Sequence, residues 1–469
     1  MNFSFVLGPR HRYKFTSHDQ EMGLIMFQHS TKQAIKTGLA LSISLLTVHW
    51  LGWQKSSWVM LTVFVLSLTE NYGYSALKSQ NRLLGTLLGA SMAFVLLALF
   101  SQQRGAFLST ILLFFAFCVY MNFDKRRGYL YNIAITVCLV IASAGINNGA
   151  AALATAILRL QDTLLGLVIF SLVYRLVWPT TGESEFFRKA ENLLDDLEQE
   201  IAGAVVNTSQ ASRVKVVNQL QDILHLPSSE KTTLAACKSQ LSDALNGMTY
   251  IIQRLATKQE GQQSRSELEI LIAEGRSVLE GAPSVSERLR SLPVQMINQE
   301  DQDIASARFK GLLVSLGLAI SALVLWIALP IPGGAMFPVF GLIVAANIAS
   351  APANYAAPVM LVYILFAGIV LLQYVFVFPL LTVSWQLAIL FFINIVLGYL
   401  LLEKLHMTAT KMLMGNALIN MVGSATELVP SYDIVAPLTM LVFLFIVMAL
   451  FQFYAQLFSR VVWRGIRSY

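Results

Sequence analysis

Three charged residues interrupt otherwise apolar stretches of this sequence and are its first candidates for chemistry. Arg82 precedes a long apolar run, and Arg159 and Asp162 lie three residues apart within another. A charge inside a membrane-spanning segment is costly, so it is a functional candidate by default. A guanidinium there attracts anions, whereas a buried carboxylate can carry a proton. The same residues also fit structural roles, because Arg82 can anchor a helix at the interface and Arg159 can pair with Asp162.

Amide side chains and a second acid extend this polar set. Asn416 and Asn420 are four residues apart in an apolar stretch, and Asn132 lies early in the fifth apolar run. Such amides can donate hydrogen bonds to a carboxylate, or they can hold neighbouring helices together. Asp433 has no adjacent basic residue and could carry a proton if it is buried. Lys78 lies one turn before Arg82 and adds positive charge beside it.

Small residues follow two of these charged positions at helical spacing. Gly85 and Gly89 come after Arg82 on one helix face, and Gly166 comes four residues after Asp162. Small residues four apart let two helices approach closely within a membrane. We therefore predict that Gly85, Gly89 and Gly166 are helix-packing positions.

The elements that must position these residues are membrane helices. The sequence has 469 residues and is 56% hydrophobic but only 13% charged, whereas soluble proteins carry roughly 25% charged residues. Apolar runs long enough to suggest membrane spans lie on both sides of a charged central segment. The runs cover approximately residues 34–51, 58–68, 83–100 (opened by Arg82), 107–121, 129–144, 158–178, 311–329, 336–349, 358–378, 385–402, 412–422 and 434–458.

This pattern predicts an all-α membrane protein with two six-helix transmembrane repeats and a cytoplasmic helical bundle inserted between them. The predicted parts are an N-terminal cytoplasmic segment (1–31), a first transmembrane half (32–179), the helical domain (180–307), a second half (308–460) and a cytoplasmic tail (461–469). Lys and Arg concentrate in alternate loops, which places both termini in the cytoplasm. We attribute the net charge of +6 to this topology and expect no nucleic-acid partner.

Polar residues at matching positions suggest that the two halves are parallel copies. The pairs are Lys36 with Lys310, Asn71 with Asn347, Asn132 with Asn416, and Asp162 with Asp433. Repeats of this kind usually bind substrate where they meet, near mid-membrane. Chance pairing of a few polar residues is the alternative.

Known enzyme and cofactor motifs are absent. The sequence contains no P-loop, no H-E-x-x-H and no G-x-S-x-G, which argues against ATP hydrolysis and against these classes of hydrolase. Its three cysteines lack metal-ligand spacing. We therefore predict no enzyme activity, no metal and no cofactor.

A series of short motifs resembles the fusaric acid resistance and aromatic acid exporter family of bacterial inner-membrane proteins. The motifs are Lys36, Trp58-x-x-x-Thr62, Arg82-x-x-Gly85-Thr86-x-x-Gly89, Arg159-x-x-Asp162-x-x-x-Gly166 and Trp178-Pro179. They lie in the first half, and the second half shares only the architecture. The resemblance implies an exporter of aromatic or other organic acids that works with a periplasmic adaptor and an outer-membrane channel. The family also looks related to plant malate-permeable anion channels.

We therefore predict a proton-driven efflux transporter of small organic anions, of the aromatic carboxylic acid class. An organic-anion channel on the same fold and a non-transporting envelope scaffold are the alternatives. The predicted substrate ligands are Lys78, Arg82, Asn132, Asn416 and Asn420, and the predicted proton-coupling residues are Arg159, Asp162 and Asp433. The expected partners are the anion, the lipid bilayer, a periplasmic adaptor and a second copy of the chain.

Overall fold

The computed structural model is helical throughout the part of the chain that it describes. The described residues are 17–68, 72–124, 126–146, 148–178, 182–202, 210–224, 237–256, 262–279, 289–290, 292, 299–351, 356–405, 407 and 410–466. Within these ranges there is no β-strand, only a single antiparallel bridge between Lys55 and Glu427. The prediction of an all-α protein is confirmed.

Sixteen α-helices of the described ranges carry the argument below. The first six are α1 (Ser17–Trp50), α2 (Ser57–Ser67), α3 (Tyr72–Phe100), α4 (Arg104–Met121), α5 (Gly128–Gly145) and α6 (Gly149–Leu176). Four polar helices follow, namely α7 (Gly182–Ile201), α8 (Gln210–Leu224), α9 (Lys238–Ala256) and α10 (Gln262–Leu279). The last six are α11 (Gln299–Ala328), α12 (Met336–Asn347), α13 (Ala356–Phe376), α14 (Ser384–Lys404), α15 (Lys411–Met421) and α16 (Val435–Ile466).

Eight helices of the described part are long and apolar enough to cross a membrane, so the chain is a multi-pass membrane protein. They are α3 to α6, α11, α13, α14 and α16. Helices α2 and α12 are apolar but have only 11 and 12 residues, which is about 17 and 18 Å of helix. Helix α15 is equally short and contains Asn416 and Asn420.

Two helices start well before the apolar runs that marked them in the sequence. Helix α3 begins at Tyr72, ten residues before Arg82, and α6 begins at Gly149, ten residues before Arg159. Each residue rises 1.5 Å along a helix, so both arginines lie about 15 Å inside their helices. The prediction that Arg82 opens the third span is therefore wrong. Apolar runs mark the lipid-facing part of a helix, whereas polar residues buried against other helices extend it.

The polar helices α7 to α10 share one apolar core. Phe186, Leu197, Leu220, Leu245 and Ile251 are fully buried in it or nearly so. At its edge, Arg213 pairs with both Asp196 and Glu200, and Arg276 pairs with Asp195 and Glu198. This core is separate from the apolar clusters of the membrane helices, so the four helices pack as a bundle of their own.

Several helices of the first six pack directly against helices of the last six. Helix α1 packs against α14, α4 against α11, α5 against α12, and α2 against α15. The most extensive contact joins α3 to α5. Of the residue pairs that suggested a repeat, Asn71 lies outside the described residues.

Candidate functional site

Arg82 lies at a point where α2, α3 and α5 meet. Its Nη1 donates a hydrogen bond to the Tyr129 hydroxyl at 2.7 Å, and its Nη2 donates to Thr62 Oγ1 at 2.8 Å. The Thr62 hydroxyl in turn donates to the carbonyl of Trp58 at 2.8 Å, which leaves its oxygen free to accept from the arginine. Only 6% of Arg82 is exposed, so its charge is withdrawn from solvent and is not an interfacial anchor.

Arg159 reaches the same face of α2 from α6. Its guanidinium stacks over the Trp58 ring at 3.9 Å from the centroid, an arrangement stabilised by cation–π attraction. Its Nη1 lies 3.6 Å from Asp162 Oδ2, within ion-pair range but beyond a hydrogen bond. Arg159 and Asp162 are 8% and 5% exposed. Because Trp58 and Thr62 are one turn apart on α2, this one helix holds both arginines.

Positive charge exceeds negative charge at this point. Lys78 donates to the carbonyl of Val65 at 2.9 Å, and its ammonium lies 5.2 Å from the Tyr129 ring. The charges of Arg82, Arg159 and Asp162 are close enough to interact. We call Trp58, Thr62, Lys78, Arg82, Tyr129, Arg159 and Asp162 the arginine cluster. Its three cations face one described carboxylate.

Two guanidinium nitrogens of the cluster have neither a hydrogen-bond partner nor an ion-pair partner. Arg82 Nε and Arg159 Nε are buried and have no hydrogen-bond partner in the described structure, and Arg159 Nη1 has only its ion-pair contact with Asp162. Buried polar groups nearly always have partners, so each exception calls for an explanation. A charged N–H donor forms a strong hydrogen bond with a carboxylate oxygen. The arrangement can therefore accept an organic anion, which would supply both the missing acceptors and the missing charge.

Glycines bring the helices of the cluster close together. A Cβ atom on Gly85 would lie 2.5 Å from the Leu130 carbonyl oxygen, and one on Gly89 would collide with the Ala134 carbonyl oxygen. A Cβ on Gly166 would lie 2.7 Å from the Thr62 Cβ. Helix α3 therefore packs on α5, and α6 packs on α2, at separations that only glycine permits. These contacts bring Tyr129 to Arg82 and Trp58 to Arg159.

The asparagines lie at other places. Asn132, one turn beyond Tyr129 on α5, donates from Nδ2 to Asn347 Oδ1 of α12 at 3.0 Å, so it joins the first six helices to the last six. Asn420 donates to Asn416 Oδ1 at 3.3 Å, and Asn416 donates to the carbonyl of Met412 at 3.0 Å. Of the three asparagines predicted as ligands, the structure thus places Asn132 one turn from Tyr129, and Asn416 and Asn420 on α15.

Asp433 occupies the start of α16. It is exposed, and its Oδ1 accepts a hydrogen bond from the Val435 N–H at 2.9 Å, as N-terminal capping residues do. The burial on which its predicted proton role depended is not found. Asp162 is the predicted acid that the structure does bury.

Sequence reasoning gave no role to three residues that complete the cluster. Trp58 and Thr62 were noted only as a motif, and Tyr129 was not singled out at all. The four-residue spacing of Trp58 and Thr62 was a usable signal, because it puts an aromatic ring and a hydroxyl on one face of an apolar helix. No group of three or more potential metal ligands occurs among the described residues.

Comparison with known proteins places the cluster in a family context. The sequence model of the Fusaric acid resistance protein family matches residues 30–257, which confirms the resemblance found in the motifs. The matched segment contains all seven residues of the arginine cluster. No curated protein and no solved structure matches the chain.

Proposed function

Because residues 30–257 match the sequence model of the fusaric acid resistance protein family, we propose that this chain is a transporter of that family and exports small organic anions. The observation that carries this proposal is the arginine cluster, a buried net positive charge in which Arg82 Nε and Arg159 Nε have no partner. The substrate class is carboxylic acids, with aromatic acids suggested by the family. The proposed location is the bacterial inner membrane.

An anion that enters the membrane must exchange its hydration for other hydrogen-bond donors. Arg82 Nε and Arg159 Nε can provide them. Arg159 is also the ion-pair partner of Asp162, so the substrate carboxylate and Asp162 compete for one guanidinium. A proton on Asp162 releases Arg159 for the substrate, and loss of that proton favours substrate release. This competition makes anion binding depend on pH, so anion movement should respond to a pH gradient.

We further propose that the two sets of six helices are parallel repeats. The contacts between helices support this, because four of the cross-contacts form two equivalent pairs. Helix one of each half packs on helix four of the other (α1 with α14, α11 with α4), and helix five packs on helix two of the other (α5 with α12, α15 with α2). Within the halves, α3 packs on α5 and α13 on α15. Asn132 and Asn347 then mark a meeting point of the repeats.

In this arrangement the bundle α7 to α10 and both termini lie in the cytoplasm, as the loop charges suggest. Single cysteines at Asn148 and Val429, both exposed, should react with an impermeant maleimide from the periplasmic side. Reaction from the cytoplasmic side alone would contradict this topology. A periplasmic adaptor and a homo-oligomer remain proposals on family grounds.

The direct test of function is flux in proteoliposomes. Purified protein should accelerate the movement of benzoate and related carboxylates, and the movement should saturate and respond to an imposed pH gradient. Unitary currents without proton coupling would favour the channel alternative. Absence of any flux across a panel of aromatic and aliphatic carboxylates would favour the scaffold alternative and overturn the proposal.

A further inference from the structure

Two loops from different halves of the protein join at one end of the membrane region. The residues between α1 and α2 lie against those that follow a 3₁₀ turn at Gly423–Thr426. Leu428 N–H donates to the Gln54 carbonyl at 3.2 Å, and Lys55 and Glu427 face each other in an antiparallel bridge. We call Gln54, Lys55, Ser56, Thr426, Glu427 and Leu428 the distal clasp.

The clasp is at the end opposite the bundle α7 to α10. In the middle part of α1, Lys36 contacts the Trp178 carbonyl and Thr37 hydrogen-bonds to Tyr174 at 3.1 Å. Trp178 and Tyr174 lie at or just after the end of α6, on the side that leads into α7. His49 lies about 20 Å further along α1, so the clasp to which this end of α1 leads is remote from the bundle.

Buried hydrogen bonds hold the clasp closed. The Thr426 carbonyl accepts from Ser56 Oγ at 2.8 Å and from His49 Nε2 at 3.0 Å. The other ring nitrogen of His49 bonds with Ser384 Oγ at 2.8 Å. Ser56 and Thr426 are fully buried. A cavity of about 150 Å³ adjoins these bonds and is lined partly by His49, Leu387, Glu427 and Tyr432.

Helix α2 connects the clasp to the arginine cluster. It starts at Ser57, directly after Ser56, and its next turn carries Trp58 and Thr62, which hold Arg159 and Arg82. Its other side contacts α15, where the Phe64 ring fills the place of a side chain at Gly415. The charge of Lys55 is also close enough to Asp162 to interact with it. A movement of α2 at the clasp would therefore also move Trp58 and Thr62, which hold the two arginines.

We propose that the distal clasp is the outer gate of the transporter and that α2 couples its opening to the arginine cluster. This inference rests on the proposed function. The gate is closed in this structure. When residues 54–56 separate from residues 426–428, α2 withdraws Trp58 and Thr62 from the arginines, which frees the anion to leave on the distal side. The glycine at position 52, with a φ of +69°, provides the turn at which the α1–α2 loop bends.

A disulfide across the bridge tests the gate. The bonds that flank Lys55 and Glu427 make them a pair without mutual hydrogen bonds, whose Cβ atoms lie about 4.5–5.5 Å apart, near the range that a disulfide spans. The variant Lys55→Cys/Glu427→Cys is made with Cys237→Ser, because Cys237 is the one native cysteine that is not buried. Oxidation should reduce benzoate efflux from proteoliposomes at least tenfold, and reductant should restore it.

Controls separate failure of the gate from failure of the function. Each single cysteine variant should transport equally with and without oxidant, and a long flexible bismaleimide across the same cysteines should leave more flux than the disulfide does. Transport by the disulfide-linked protein at the rate of its reduced form would overturn the gate while leaving the function intact. Absence of flux in the wild-type and reduced proteins would instead overturn the proposed function.

Benzoate binding is a second measurement, and it distinguishes a closed gate from a folding defect. The disulfide-linked protein should still bind benzoate in detergent, measured by equilibrium dialysis, because the opposite face of the protein stays open to the ligand. Loss of both binding and flux after oxidation would overturn the gate, because the link would then be acting on the arginine cluster itself.

Discussion

Replacing Arg82 by glutamine removes one positive charge from the arginine cluster while keeping a side chain that can hydrogen-bond to Thr62 or Tyr129. Under the proposed function, the anion then loses a charged donor. A hydrogen bond to a charged group contributes about 1.5–3 kcal/mol net, and each 1.4 kcal/mol is tenfold in affinity. We therefore expect Arg82→Gln to raise the KM for benzoate roughly 10- to 100-fold. The fold should survive, because the lost bonds are offset by the desolvation cost of burying the charge.

Two further variants calibrate this result. Arg82→Lys keeps the charge but cannot bond to Thr62 and Tyr129 together in the guanidinium geometry, so its KM should be intermediate. Arg104, at the exposed start of α4, provides a matched control, and Arg104→Gln should transport like wild type. The assay is initial-rate efflux from proteoliposomes at equal protein content, with size-exclusion profiles to show that each variant is folded. A wild-type KM in Arg82→Gln would refute the assignment of the anion site.

The remaining predictions concern coupling, packing and acid stability. Asp162→Asn should abolish the response of flux to a pH gradient, whereas Asp433→Asn should retain it, since asparagine also caps a helix; equal responses in the two variants would contradict the coupling scheme. Gly89→Ala should destabilise the protein by about 1–3 kcal/mol, because the added Cβ meets a backbone carbonyl of α5. Gly368→Ala, whose Cβ would meet nothing within 4 Å, should stabilise the protein by about 0.5–1 kcal/mol. Thermal unfolding in detergent measures both changes. The pKa of Asp124 lies below its usual range, chiefly because its carboxylate accepts hydrogen bonds from the following backbone N–H groups. A carboxyl whose pKa is lowered by folding stabilises the folded state above its ordinary pKa of 3.8, and this stabilisation is lost as the pH falls through the lowered pKa. Asp124→Asn should therefore reduce the loss of stability at acid pH, measured by thermal unfolding across pH. An unchanged acid dependence would show that this turn does not contribute.

The apolar runs were sufficient to predict an all-helical membrane protein, because a span must be both helical and apolar. They were insufficient to find the helix ends. Residues 72–82 are mostly polar, yet they continue α3 since Ser75 and Asn81 are buried against other parts of the protein. This extension is what puts Arg82 inside the membrane region.

The site itself was only partly predictable. Arg82 and Arg159 can be singled out from the sequence as charges that need an explanation, but nothing in the sequence predicts that they meet at one place. Their convergence depends on α2, which carries Trp58 and Thr62 between α3 and α6. Side-chain spacing within one helix is visible in a sequence, whereas the packing of three helices around it is not.

The two-repeat organisation stays a prediction. The two sets of six helices differ where the second helix of each set meets the sixth. Phe337 packs edge-on against Phe443 at 5.2 Å where α12 meets α16, whereas Arg159 stacks over the Trp58 ring where α6 meets α2. The contact between the second and sixth helices therefore contains an aromatic pair in one set of six helices and a cation on an aromatic ring in the other. Polar pairs matched along the sequence could not reveal this, because neither phenylalanine stands out in an apolar helix.

The shortness of α2 has an electrical consequence. Its 11 residues make about 17 Å of helix, little more than half of the roughly 30 Å hydrocarbon thickness of a bilayer. Irregular backbone at membrane depth is tolerated only where protein or water surrounds it, so the ends of α2 need cover from neighbouring segments, as Ser56 has. Under the proposed function, an anion held at the arginines lies inside this covered region, and part of a transmembrane voltage separates it from the distal side. That voltage is worth about 2.3 kcal/mol per charge for each 100 mV, so a negative interior would speed the exit of a carboxylate.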